Sequence, residues 1–404
     1  MSQLTGDCIN EIVEYLNEDK VNLRSCLLIN RLWCKISVRI YWREIRNLSA
    51  LIAFFPDESK EILCKNGITI LTSNPPAFNY ASFCKFLSVY EINCKVEKFL
   101  TKRHITHQHL KDSKVIMIKE IYKFLMGQIT SLRKVEIMTS FNTTLFTSYH
   151  GAKDCLKYLS ELTCYSNISP KLFYHLSQIC YNLQTLRIKF NEFISNGLEE
   201  LISVQRNLKH LFIMQSDICV KFASIFALIA NVPNNLITLN IYKGRWIYNM
   251  SLSFIARFTN LQILTLTSFN KHYEDFNKLQ YAIFPQLQVL EFKQECPRNE
   301  LLIKFLENNG KNLIELYVKG NDNSLNLAII KFCPNLIKLS TKVKRDCAET
   351  IKLILSNCRY LEGIKIFYEK KIDMIGAYNA NVTGLPKITF CRLNRHRYSY
   401  YYYH

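Results

Sequence analysis

The stretch Leu183-Gln-Thr-Leu186-Arg-Ile188-Lys189 decides the fold. Its last two apolar residues alternate with polar neighbours, the period-2 pattern of a strand with one buried face. The phrase Leu-x-x-Leu-x-Ile returns at Leu208-Lys-His-Leu211-Phe-Ile213, Leu236-Ile-Thr-Leu239-Asn-Ile241, Leu261-Gln-Ile-Leu264-Thr-Leu266 and Leu287-Gln-Val-Leu290-Glu-Phe292. It continues at Leu313-Ile-Glu-Leu316-Tyr-Val318, Leu336-Ile-Lys-Leu339-Ser-Thr341 and Leu361-Glu-Gly-Ile364-Lys-Ile366, with weaker copies opening at Leu132 and Leu159. The first leucines recur every 23–28 residues, about 25 on average. Some 20 residues between phrases return the chain to the next strand, and they read as helices: Cys219–Ala230 carries apolar residues at helical spacing, as do Glu300–Leu306 and Cys347–Leu355. One repeat cannot bury its own apolar face, but a stack can. The expected fold is an α/β solenoid over residues 132–376, with about ten repeats, parallel strands on the concave face and helices on the convex face.

The rest of the composition fits a folded protein. The 404 residues are 49% apolar and 21% charged, with only 11 glycines and 9 prolines, which excludes wholesale disorder and collagen-like architecture. No basic n-region or apolar h-region reads as a secretory signal, and no apolar run approaches the roughly 18 residues of a membrane helix. Fifteen cysteines without C-x-x-C spacing suit a reduced cytoplasmic or nuclear protein better than a disulfide scaffold. The net charge of +19 is uneven: zero over residues 1–45, +6 over 46–150 and +13 over 151–404. Such an excess favours acidic partners, but no zinc-finger spacing, compact basic helix or RNA-binding aromatic signature points to nucleic acid.

The repeats resemble the leucine-rich repeat family, of the cysteine-containing type. In that type a cysteine precedes the first leucine by three residues, and Cys180, Cys333 and Cys358 stand there, with Phe258 and Phe284 at the same phase. The family's asparagine after the strand is matched by Asn167, Asn191 and Asn321, whereas Ser216, Gly244 and Lys344 depart from it.

Residues 1–45 follow another pattern. Ile9, Ile12, Val13 and Leu16 make a helical stripe, with Asp7 as the expected N-cap. Leu23, Cys26, Leu27 and Ile29 suggest a second helix, and Leu32, Trp33, Ile36 and Ile40 a third. Three helices in so short a segment form a marginal unit, and an apolar stripe left over implies a partner. The pattern Leu4, Ile9, Glu11-Ile12-Val13-x-Tyr15-Leu16, Leu23, Ile29, Trp33 and Tyr41-Trp42 resembles an F-box, with Thr5 where that motif has proline.

An F-box followed by such repeats implies the substrate-recognition subunit of an SCF-type cullin–RING ubiquitin ligase. The F-box would dock on the Skp adaptor, and through it a cullin–RING core. The repeats would hold a protein substrate for ubiquitination. By family position, adaptor contact falls on Leu4, Ile9, Ile12, Leu16, Leu23, Ile29 and Trp33. The chain itself would be non-catalytic and take no cofactor and no metal; its sequence has no Gly-rich phosphate loop, G-x-S-x-G or H-E-x-x-H. Two alternatives stand beside this reading. One is a repeat scaffold outside any ligase, whose first helices only cap the solenoid; the other is electrostatic binding of nucleic acid or anionic lipid.

Residues 46–131 read as a mostly helical linker or first solenoid segment that sets the angle of the first module. Helices are expected at Pro56–Gly67, Tyr80–Leu87, Val96–Thr101 and Lys114–Met126, and a turn at Asn74-Pro-Pro-Ala. His104, His107 and His109 cluster among cations and read as a solvated loop. The tail, residues 377–404, leaves the repeat phase and reads as disordered, down to Tyr398-Ser-Tyr-Tyr-Tyr-Tyr-His404.

The strand phase also names the outward side chains. One column is Arg187, Phe212, Asn240, Thr265, Glu291, Tyr317, Ser340 and Lys365; the next is Lys189, Met214, Tyr242, Thr267, Lys293, Lys319, Lys342 and Phe367. Lysines and aromatics on one face suit an acidic or phosphorylated protein segment, although exposed lysines also serve solubility alone.

Overall fold

A computed structural model describes residues 4–70, 76–103, 107–139, 146–215, 228–242, 252–268, 273, 276–319, 323–342, 348–368 and 387–392. The turn at Asn74 and most of the Cys219–Ala230 stripe lie outside these residues, as do the side chains of the three clustered histidines and the tyrosine-rich end. The chain forms two compact units: Met1–Ile188 with Phe193–Asn207, and Lys189–Glu192 with Leu208–His404.

The first unit opens with three helices, α1 (Gly6–Tyr15), α2 (Lys20–Cys26) and α3 (Arg31–Tyr41). Each starts on a side-chain cap: Thr5, Asp19 and Asn30 accept hydrogen bonds from the backbone N–H of Cys8, Asn22 and Trp33. The cap of α1 is therefore Thr5 rather than Asp7, which lies in the first turn, where its charge still favours the helix dipole. Ile9, Val13, Leu23 and Ile40 close a small core, with Leu16, Trp33, Ile36 and Tyr41 packed around it.

Two short helices follow, α4 (Leu48–Ile52) and α5 (Asp57–Lys65), the latter with Pro56 before it and Gly67 at positive φ after it. The helix expected at Tyr80–Leu87 is only a 3-10 turn, Tyr80–Phe83, and strand β1 (Phe86–Ser88) follows. Leu87 and Ser88 are buried there because β1 pairs in parallel with β2 (Lys134–Ile137), placing Phe86 opposite Lys134 and Ser88 opposite Glu136. The sheet thus begins inside residues 46–131, the expected linker or first solenoid segment, 46 residues before the first leucine phrase. Helices α6 (Val89–Thr101) and α7 (His107–Gln128) connect the two strands. β2 pairs in parallel with β3 (Glu161–Tyr165), and β4 (Thr185–Phe190) comes next in chain order.

The second unit continues the rule. β5 (His210–Gln215), β6 (Thr238–Tyr242), β7 (Ile263–Ser268) and β8 (Val289–Gln294) pair in parallel with their chain neighbours. So do β9 (Glu315–Tyr317), β10 (Lys338–Lys342), β11 (Gly363–Tyr368) and β12 (Lys387–Arg392). β12 corrects the reading of 377–404 as wholly disordered: Lys387–Arg392 supplies the backbone partners that the edge of β11 would otherwise lack. Helices occupy the expected returns at Asn299–Asn309 and Ala348–Asn357. They cover the leucine face, where Phe276 packs on Phe292 of β8 and on Phe305, with ring centroids 5.9 and 5.6 Å apart.

The repeat phase is visible in burial. Leu186, Leu211, Leu239, Leu264, Leu290 and Leu316 are fully enclosed, each contributing on the order of 1.5–3 kcal/mol. The inward Thr341 departs from the pattern, and its hydroxyl donates to Asn326 Oδ1 at 2.7 Å, so the buried polar group is paired. Cys180, Cys333, Cys358, Phe258 and Phe284 are all buried at their shared phase. At that phase in the Leu208 repeat stands Gln205, also buried; its side chain accepts from Leu183 N–H at 3.0 Å and donates to Cys180 and Leu201 carbonyls at 2.7 and 2.9 Å. Asn309 does the same work beside Gly310: it accepts from Phe284 N–H at 2.7 Å and donates to Ala282 and Phe305 carbonyls. Both amides clasp one repeat to the one before.

Candidate partner-binding surfaces

The first surface is on the three-helix module. Its core uses Ile9 and Leu23, both buried, so these two expected adaptor contacts are instead internal packing. They face the module's interior because i, i+4 pairs from α1 must meet α2 and α3 to close a core at all. Leu16 and Trp33 are half-buried against that core. Leu4, Ile12 and Ile29 are exposed, and the structure adds Tyr15, Val21, Leu28 and Leu32 to them. These seven side chains are 39% to 87% exposed within 29 residues. Sequence reading missed Val21 and Leu28 because a helical stripe alone does not tell its core edge from its solvent edge.

The module is tied to the start of the sheet. Arg43 donates to Glu14 of α1 through both terminal nitrogens, one bond being 2.8 Å. The Arg43 carbonyl accepts from Lys85 and Phe86 N–H at 2.8 and 2.9 Å, and Glu44 bridges Phe86 in parallel, one residue of strand laid beside β1. Trp42 stacks on Tyr80 with ring centroids 4.0 Å apart. These contacts bury the end of α3 and leave the seven apolar side chains exposed.

The second surface is the outward face of the strands. The ladder register aligns Phe212, Asn240, Thr265, Glu291, Tyr317, Ser340 and Lys365 in one row, as the repeat phase predicts. Met214, Tyr242, Thr267 and Lys293 align in the next, and Lys342 lies opposite Phe367. Thr265, Thr267 and Ser340 are too short to clear their neighbours and are buried. Arg187 and Lys189 are half-buried, and burial pulls the Arg187 guanidinium down from its usual range, with Glu161 opposing.

Charge along this face is partly cancelled. Lys293 lies 3.7 Å from Glu291, which also accepts from Thr265 at 3.3 Å. Glu315 receives Lys338 at 2.7 Å and the Tyr317 hydroxyl at 2.6 Å. The Lys338 bond, then the Tyr317 bond, hold the Glu315 carboxyl below the usual range. Burial and then Glu315 keep the Tyr317 phenol protonated well into alkaline solution. Lys319 and Lys365 are placed differently: each ammonium sits 5.2 Å from the centre of the Phe367 ring.

No group of three or more histidine, cysteine or acidic side chains among the described residues could hold a metal, and no helix there is long and apolar enough to cross a membrane. Burial pushes the thiols of Cys84, Cys155, Cys164 and Cys180 up to about 12, which makes them packing groups rather than nucleophiles at neutral pH.

No family model matches the chain, and no curated protein does. Among solved structures it is similar to the leucine-rich repeat domain of APL1B, at 11% identity and a TM-score of 0.22, over 65% of this chain and 87% of that one.

Proposed function

We propose that the chain is the substrate-recognition subunit of an SCF-type cullin–RING ubiquitin ligase, its three-helix module an F-box docked on the Skp adaptor and its repeats holding a protein substrate. The observation that supports this most is the exposed apolar set Leu4, Ile12, Tyr15, Val21, Leu28, Ile29 and Leu32, on a module whose own core is already closed. Apolar area of that density, left in water, is best accounted for by a helical partner. The Arg43 and Glu44 contacts with β1 support it too, because they hold the module against the first strand of its own unit, as a receptor that positions rather than catalyses requires. In this reading the chain positions and does not catalyse.

The test is co-purification with the Skp adaptor. Ile12→Glu with Ile29→Glu changes only exposed side chains, so the module keeps its Ile9–Leu23 core. A stoichiometric wild-type complex, lost in the double variant, is the expected result. The second reading, a repeat scaffold capped by its first helices, is favoured by the same backbone bridge to β1, since a cap also pairs the first strand. Failure of the wild-type chain to bind the adaptor at micromolar concentration would select that reading.

A further inference from the structure

We propose that substrate capture is confined to the outward face of β9–β11 and is directed at an extended acidic protein segment, read by Lys319 and Lys365 around Phe367. This rests on the reading of the strand face as the surface that holds a protein partner, and it narrows that face to one place.

The argument is from charge that is spent and charge that is not. Lys293 is compensated by Glu291 and Lys338 by Glu315. Neither the Lys319 nor the Lys365 ammonium has a carboxylate within ion-pair distance among the described residues; both rest on Phe367. The aromatic ring fixes them without neutralising them. Lys365 stands two residues before Phe367 on the same strand and face, whereas Lys319 reaches Phe367 from beyond the end of β9, across β10, whose Lys342 lies opposite Phe367 and whose Ser340, opposite Lys365, is small and buried. With Nζ of each 5.2 Å from one ring centre, the two ammonium groups lie no more than about 10 Å apart. Same-face side chains on an extended chain are about 6.7 Å apart, so an acidic-x-acidic segment meets both cations at once. Exchanging solvent for two carboxylates costs these lysines little side-chain entropy, because the ring already holds them.

The outward face of β5–β7 offers a different surface. Phe212, Asn240, Met214, Tyr242 and the buried threonines carry no charge there. Among the outward residues of β5–β11, the charge for anion recognition therefore lies on the carboxyl-terminal strands.

The experiment uses the full chain without adaptor, so it is independent of whether the ligase assembles. A fluorescein-labelled 12-residue peptide with glutamate at alternate positions is titrated by anisotropy, beside the same peptide with glutamine. Lys319→Glu with Lys365→Glu is compared with Lys293→Gln, all checked for fold by far-ultraviolet circular dichroism and an unchanged thermal midpoint. The expected result is binding of the glutamate peptide alone, weakened at least about tenfold in the double variant and by less than about twofold in Lys293→Gln. Equal binding of the two peptides, or equal losses in the two variants, would overturn the proposal. So would equally tight binding of a single-stranded oligothymidylate of the same charge, since that would make the patch a general polyanion surface.

Discussion

Gln205→Met isolates how the repeats are held together. Methionine matches glutamine in length and flexibility, so the site keeps its volume and loses only polar atoms. Three hydrogen bonds vanish, and the Leu183 N–H and the Cys180 and Leu201 carbonyls lose the partner they share. Leu183, Cys180 and Gln205 are all buried, so water does not replace it without opening the packing. A stranded buried donor costs about 1–3 kcal/mol, and the apolar gain from methionine offsets part of the two weakened carbonyls. The net loss is about 2–3 kcal/mol. Hydrogen exchange of the segment around residues 181–190 measures it locally: protection falls by about 30- to 150-fold if opening is governed by this free energy. An exposed control, Gln178→Met, changes it by less than about threefold, within the usual ±0.5 kcal/mol of a surface substitution. Protection in Gln205→Met within threefold of wild type would refute the assignment of the glutamine as an inter-repeat clasp.

Four further outcomes are expected. Asn309→Leu strands the Phe284 N–H in the same way and lowers stability of the second unit by about 2 kcal/mol, read as a lowered urea midpoint. Gly310→Ala places a methyl group 2.7 Å from the Phe332 carbonyl oxygen and 2.8 Å from Cys333 Sγ, and the overpacking costs about 1–3 kcal/mol in the same assay. The Glu315 carboxyl is depressed on folding, so its contribution to stability is fully present above its ordinary unfolded value and is lost as pH falls through the folded one; in Lys338→Gln its carboxyl resonance titrates at higher pH than in wild type. A thiol reagent at neutral pH modifies the exposed Cys8 and Cys64 in the native chain, whereas Cys84, Cys155, Cys164 and Cys180 react only after denaturant is added; native-state labelling of these four at the rate of Cys8 would contradict their burial.

The repeat needed nothing beyond sequence. Leu-x-x-Leu-x-Ile at a period of about 25 dictates which side chains turn inward, because a strand alternates faces and a return of fixed length preserves phase. The outward row from Phe212 to Lys365 followed from that phase alone, and the ladder reproduces it residue for residue. The three helices of residues 1–45 were also legible, since their stripes and polar breaks are local.

Tertiary structure decided what depends on a distant partner. β1 and β12 carry no leucine phrase; Phe86–Ser88 and Lys387–Arg392 are strands because β2 and β11 offer them unpaired backbone. Gln205 and Asn309 read as ordinary polar residues until the adjacent repeat supplies Leu183 and Phe284 N–H. Ile9 and Ile12 stand three residues apart on one stripe, yet one is core and the other exposed, a distinction made by α2 and α3 closing over the first. The same holds for the lysines: Lys293 and Lys319 are equivalent by phase, and only the carboxylate beside one and the aromatic ring beneath the other separate a cancelled charge from an available one. Periodicity is a property of the chain, whereas burial and charge compensation are properties of what the fold brings to it.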